Sequence, residues 1–207
     1  MEQREQWLEW IVELQSLAQA GLTYGRDRFD LERYRRIRDI TAEMLARQAD
    51  LPVEKVRDLF CNETGYQTPK LDTRAAVFQE GKILLVRESD GRWSLPGGWV
   101  DVNVSVAENA VKEVWEEAGL TVTADRLVAV QDWTKRNPAP HRPCGICKVF
   151  FQCSYVSGSF QPNSETTESG WFPEDALPEL AEEKTTKEQV RMCFAAYRNE
   201  NWKVLFD

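Results

Sequence analysis

Gly97-Gly98-Trp99-Val100-Asp101-Val102-Asn103-Val104-Ser105-Val106-Ala107-Glu108-Asn109-Ala110-Val111-Lys112-Glu113-Val114-Trp115-Glu116-Glu117-Ala118-Gly119-Leu120 is the stretch around which the chain is organised. Pro96 and the paired glycines make a turn that opens into a polar loop. Ser105 with Glu108 three residues on is a capping-box pattern and predicts a helix start. Gly119 predicts its end, as a residue free to adopt the left-handed conformation. Between them Glu113, Glu116 and Glu117 stand at i, i+3 and i+4, so their carboxylates share one helical face. Like charges this close raise each other's pKa unless a cation neutralises them. Oxygen donors of this kind suit Mg²⁺ or Mn²⁺, which combine a few carboxylates with substrate phosphates. A solvated acidic helix end is the alternative use of such a run.

Working outward, residues 73–78 read as a strand, Gln79-Glu80-Gly81 as a turn and residues 82–87 as the returning strand. Leu127–Val130, Val149–Phe151 and Trp171-Phe172 supply further strands, and Thr185–Tyr197 a closing helix with Val190, Cys193, Phe194 and Tyr197 inward. This mixture predicts the α/β (α+β) class, a sheet packed between helices.

Residues 1–68 read differently, as a small all-helical domain ahead of the sandwich of residues 69–207. Trp7, Ile11, Leu14, Leu17 and Ala18 follow helical spacing until Gly21, which is expected to interrupt the helix. A second helix is expected after Asp30 as N-cap, with Leu31, Tyr34, Ile37, Ile40 and Met44 as its apolar face. A short third follows Pro52. The arginines at 33, 35, 36 and 38 are interleaved with Glu32 and Asp39, a solvated helix face rather than a nucleic-acid contact.

The formal charge of −8 argues against a basic duplex-binding face, so nucleic acid is not expected as the main partner. With no 18-residue apolar run and no leader pattern, no membrane partner is expected and a cytoplasmic location is. Five cysteines, an odd number, read as reduced thiols. Cys144-x-x-Cys147, flanked by His141 and Cys153, has a zinc-like spacing, but it runs directly into a strand, and free thiols are the preferred reading.

The central stretch resembles the Nudix box, G-x(5)-E-x(7)-R-E-U-x-E-E-x-G-U with U aliphatic. Gly98, Glu113, Val114, Glu116, Glu117, Gly119 and Leu120 match in register; Val104 stands for the first Glu and Lys112 for the Arg. Further similarity lies in residues 17–22, 73–78, 83–88, 93–99 and 148–153, which resemble a bacterial subgroup hydrolysing CDP-choline or ADP-ribose-like conjugates and carrying an N-terminal helical domain. The resemblance implies an α/β/α Nudix sandwich with a mixed sheet and a homodimer. It also implies metal-dependent cleavage of the pyrophosphate of a nucleoside diphosphate-linked substrate, CDP-choline ahead of ADP-ribose. A non-hydrolysing ligand sensor and RNA-end processing are the alternatives. In that frame Glu113, Glu116, Glu117 and the Gly97 carbonyl are the expected metal ligands, and the three glutamates the catalytic set. Glu168, with Glu165 nearby, is a candidate further carboxylate or general base, or part of an ordinary acidic loop. Arg74 and Arg87 are candidate phosphate contacts. Trp99 and Trp133 are candidates for base stacking, though core packing is the commoner use of Trp. His141, the only histidine, is a candidate substrate contact from a Pro-rich loop.

Overall fold

The computed structural model describes residues 2–60, 64–138 and 145–207. These divide into two compact units, the first ending at Pro69 (Gly145 groups with it) and the second comprising the rest from Lys70 to Asp207.

The first unit holds α1 (Glu2–Tyr24), α2 (Arg28–Ala49) and α3 (Val53–Phe60). Asp27 caps α2, its carboxylate accepting the Phe29 and Asp30 N–H groups, so the helix starts three residues before the expected Asp30 cap. Gly21 does not interrupt α1. It lies inside the helix because a Cβ there would meet the Tyr34 ring at 2.5 Å. The core is Leu8, Ile11, Ala42, Leu45, Ala46 and Val56. On α1 the residues at helical spacing divide between core and surface. Gln15, Ala18 and Gln19 are buried beside Leu8 and Ile11, whereas Trp7, Trp10, Leu14 and Leu17 are exposed. On α2 the buried residues are Thr41, Ala42, Leu45 and Ala46, while Ile40 is exposed. Gln15 is compatible with burial because its Oε1 accepts the Thr41 hydroxyl at 3.3 Å.

The second unit is built on β1 (Lys70–Gln79), β2 (Lys82–Glu88), β3 (Trp93–Ser94), β4 (Leu120–Asp132), β5 (Ile146–Gly158), β6 (Thr166–Phe172) and β7 (Leu205–Phe206). Their order is β3-β2-β1-β5-β4-β7, with β6 also on β2. The β1·β5 and β4·β7 pairs are parallel and the others antiparallel, so the sheet is mixed. Helix α4 (Val106–Ala118) covers one face: Ala110, Val114 and Ala118 pack on Ala75, Val77, Leu84, Val86, Val149 and Phe151. Helix α6 (Lys187–Arg198) covers the other, with Val190, Cys193 and Phe194 on Ala76, Phe78, Ile83, Leu85 and Phe150. Successive residues of β1 and β2 thus serve opposite layers. That is why these strands read as continuous apolar runs and not as alternation. A fully buried side chain such as Val114 contributes about 1.5–3 kcal/mol.

The short α5 (Trp133–Arg136), the full length of β4 and the terminal β7 are absent from the sequence expectation. β4 opens with polar residues at every second position and contains three register shifts, which hide its period. Cys147, Cys153 and Cys193 are free thiols; burial pushes Cys153 and Cys193 up to about 12. His141 and Cys144 lie outside the described residues. Among the described residues no helix is long and apolar enough to cross a membrane.

Candidate active site

The site is built where the glycine turn meets α4. The turn runs beside β1: Pro96 O accepts the Ala75 N–H at 2.9 Å and Gly98 O the Thr73 N–H at 2.9 Å. Gly97, between them, turns its N–H the other way, onto Glu117 Oε2 at 2.9 Å. Only glycine fits here. Its φ is +146° and a Cβ would come within 1.9 Å of Thr73 O. Gly98 is needed for a different reason, since its Cβ would meet Glu113 Oε2 at 2.9 Å. Gly97 thus lets the turn lie against β1, and Gly98 leaves room for the Glu113 carboxylate.

α4 presents those carboxylates as the sequence predicts. Ser105 Oγ accepts the Glu108 N–H while Glu108 Oε2 accepts the Ser105 N–H, closing the capping box. Gly119 ends the helix at φ +67°. Thr166 Oγ1 donates to the Glu117 carbonyl at 2.6 Å and Asn163 Nδ2 to that of Glu116 at 3.0 Å, fixing the last turn. Asn109, fully buried, ties the helix to the loop and to β1 through Asp101 N–H and Thr73 Oγ1.

The three glutamates sit in unlike surroundings. Glu113 and Glu117 are buried, at 8% and 6% exposure. Burial pushes Glu117 up to about 8 despite the opposing Arg74 charge and the Gly97 N–H; Glu113 and Glu88 add to the rise. Glu113 is raised too, by burial first and Glu116 in part, with Lys112 opposing. Glu116 faces out onto Lys112 Nζ at 2.8 Å, and the same ammonium reaches Asp101 at 3.2 Å and Glu113 at 3.4 Å. The residue replacing the expected Arg thus bridges three carboxylates. Among the described residues no three Asp, Glu, His or Cys side chains are already gathered to hold an ion. The carboxylates are nonetheless oxygen donors of the kind a hard divalent cation takes, two of them on buried side chains held above their ordinary pKa, which a nearby cation would bring down.

Of the other expected site residues, Arg74 belongs to this cluster. Its guanidinium forks onto Asp72 at 2.8 and 2.7 Å, donates to Leu95 O at 3.2 Å and acts electrostatically on Glu117. Burial opposes its charge, and Asp72 nevertheless holds its pKa above the ordinary value. Asp72 itself was missed, although an i, i+2 pair on one strand face is a readable signal. Arg87 and Glu168 meet each other across β2 and β6 at 3.3 Å, exposed and without an ion pair to the α4 carboxylates. Trp99 is half exposed beside Gly98 and keeps its ring available. Trp133 is in the core at 4% exposure, its indole N–H on the Glu183 carbonyl, and is not a stacking surface. His141 lies outside the described residues.

With this geometry in place, the comparisons with known proteins are specific. Residues 68–193 match the NUDIX domain, and residues 5–60 match Nudix_N, described as a UDP-X-like, N-terminal oligomerisation domain. The putative ADP-ribose pyrophosphatase YjhB of Bacillus subtilis is 42% identical over 202 residues, covering 97% of each chain. A crystal structure of a UDP-X diphosphatase aligns with TM-score 0.63 at 33% identity over 98% of both chains. An ADP-ribose pyrophosphatase from Streptococcus suis aligns with TM-score 0.63 at 57% identity, over 68% of this chain and all of that one. Glycine turn, capped helix, buried glutamates and these matches agree: the chain belongs to the Nudix family of pyrophosphohydrolases.

Proposed function

We propose that this chain cleaves the pyrophosphate of a nucleoside diphosphate linked to a second moiety, releasing a nucleoside monophosphate and a phosphorylated partner. The observation that carries this reading is the pair of buried carboxylates, Glu113 and Glu117, held beside the Gly97-Gly98 turn with the Gly97 N–H on Glu117. Glu113, Glu116, Glu117 and the Gly97 carbonyl are the proposed holders of Mg²⁺ or Mn²⁺. When bound, such ions neutralise diphosphate charge and make water more acidic. Glu117 is oriented by the Gly97 N–H and is placed to hold or release a proton near neutrality. Trp99 offers a stacking face for a base, and Arg74, Arg87 and Glu168 complete the proposed set. ADP-ribose takes first place among substrates, supported by the names of two similar proteins, ahead of CDP-choline.

Catalysis is assigned to residues 69–207 and assembly to residues 1–68. The exposed residues Trp7, Trp10, Leu14 and Leu17 follow a 3-4-3 spacing, the seam pattern of paired helices. Together with the description of the matching domain, this supports a homodimer formed through α1. Nucleotide conjugates and reduced thiols both fit the cytoplasm as the compartment.

The test is a product assay with ADP-ribose, CDP-choline and UDP-sugars in Mg²⁺ and in Mn²⁺, with Glu117→Gln as blank. AMP and ribose 5-phosphate, absent from the blank, are expected. Product from CDP-choline alone would reverse the substrate order; no metal-dependent product from any conjugate would end the proposal.

A further inference from the structure

The segment Ala181–Thr186 runs beside β3, the strand that leads into the glycine turn. The Ala181 N–H donates to Trp93 O at 2.8 Å, and Thr185 Oγ1 accepts the Leu95 N–H at 3.1 Å. It is held in an unusual way. Three consecutive carbonyls each receive a side-chain donor: Glu182 O from Asn137 Nδ2 at 2.7 Å, Glu183 O from Trp133 Nε1 at 2.7 Å, and Lys184 O from Lys148 Nζ. All three donors are buried, Lys148 at 1% exposure. Gln189 braces Asn137 and accepts the Thr186 N–H. Burying an ammonium is costly. A surface strap of no consequence would not require one.

What the strap positions is the side chain of Lys184. Its ammonium lies 2.7 Å from Glu88 Oε2, and the other Glu88 oxygen accepts the Ser94 hydroxyl at 2.8 Å. Thr185, next along the strap, holds the Leu95 N–H, and the Leu95 carbonyl accepts Arg74 at 3.2 Å, so the Lys184–Glu88 pair stands beside the Arg74 end of the candidate active site; Glu88 also acts electrostatically on Glu117 and Arg74. The Lys184 side chain is 39% exposed against 15% for Glu88. A partly exposed ion pair contributes only about 0–1 kcal/mol, too little to account for a strap this firmly tied. A diphosphate entering here meets Glu88, Glu113 and Glu117 and needs cations. Arg74 is committed to Asp72, Arg87 to Glu168 and the Gly91 carbonyl, and Lys112 to Asp101, Glu113 and Glu116. Among the described residues Lys184 has its ion pair with Glu88, acts electrostatically on Asp90, and keeps solvent-facing donors.

We propose that Lys184 is a phosphate-binding residue of the site, an ammonium preset by the Glu182–Lys184 strap that passes from Glu88 to a diphosphate oxygen when substrate binds. The proposal rests on the pyrophosphohydrolase reading above and extends it to a specific cation. An ammonium on a flexible stem binds phosphate as a point charge, without the paired geometry of a guanidinium. Asn137, Trp133 and Lys148 act through it as positioning residues.

The experiment compares wild type, Lys184→Met and Lys184→Arg in two readouts: steady-state kinetics on ADP-ribose, and calorimetric binding of α,β-methylene-ADP in Mg²⁺. For Lys184→Met, KM is expected to rise roughly tenfold and kcat to change by less than about threefold. The probe affinity should fall by a similar factor and lose part of its salt dependence, and Lys184→Arg should recover most of both. Unchanged KM and unchanged probe affinity in Lys184→Met, with an active wild type, would overturn the role of Lys184 and leave the hydrolase reading standing. A wild type inactive on every conjugate but binding the probe through Lys184 would do the reverse. An inactive wild type that also fails to bind the probe would overturn both.

Discussion

Helices α1 and α4 depart from the ordinary sorting of side chains in opposite directions. α4 buries charge, with Glu113 and Glu117 almost out of water. α1 exposes aromatic surface, with Trp7 52% and Trp10 47% accessible and their rings in edge contact at 5.3 Å. A buried carboxylate and an exposed tryptophan are both unfavourable in isolation. Each is accounted for by something the single chain lacks. On the proposed reading this is a cation for α4 and a second copy of the chain for α1.

The comparison breaks most sharply at Glu117. Glu117→Gln is expected to lower kcat/KM by at least about a hundredfold. The melting temperature of the metal-free protein should hold below about pH 8, where Glu117 is already protonated, and rise above it, where the variant removes a buried charge. A variant that loses stability along with activity would make Glu117 a structural acid. On the other side, the double change Trp7→Glu with Trp10→Glu should weaken self-association by about thirtyfold or more, as loss of interface aromatics does. Helix content should be unchanged; sedimentation and circular dichroism together check this, and an undisturbed dimer would move the interface off α1.

A titration separates the two helices further. Burial raises the folded pKa of Glu117 to about 8, well above the ordinary glutamate value of 4.5. The folded state therefore binds its proton more tightly than the unfolded state. The metal-free protein should lose stability progressively as pH rises from the carboxylate range to about 8, by up to a few kcal/mol, and level off above. Denaturant midpoints across that range, with Glu117→Gln as control, test this. A flat profile in the wild type would mean that Glu117 is better solvated than its burial implies. The Trp pair on α1 does not titrate and should leave this profile unaltered. The smallest expected effect is that of Gly98→Ala, whose Cβ would meet the Glu113 carboxylate at 2.9 Å. Displacing that carboxylate should reduce turnover several-fold with little change in melting temperature, measured side by side with wild type.

What could be read from the sequence follows from how local each signal is. The capping box, the Gly119 stop, the i, i+3, i+4 carboxylates and the β1–β2 turn each lie within a few residues, and all are found. On α1 the buried side carries Gln15 and Gln19 beside Leu8, Ile11 and Ala18, and helical spacing alone does not say which residues of an apolar stripe turn inward. The stripe at helical spacing is divided by the fold: Ile11 and Ala18 turn toward the unit's own core, while Trp7, Leu14 and Leu17 stay exposed. The role of Glu88 and the strap around Lys184 were illegible for another reason. Their partners, Asn137, Trp133 and Lys148, lie 36–50 residues away in sequence from the carbonyls they hold. No local pattern announces such a pairing.

The burial of Lys148 beneath the strap has a practical consequence. Its amine holds the Lys184 carbonyl and is 1% exposed, so an amine-reactive reagent modifies it only in molecules where the strap has lifted. Its labelling rate, set against that of exposed lysines such as Lys82, would read out the free energy of that local opening in the native enzyme.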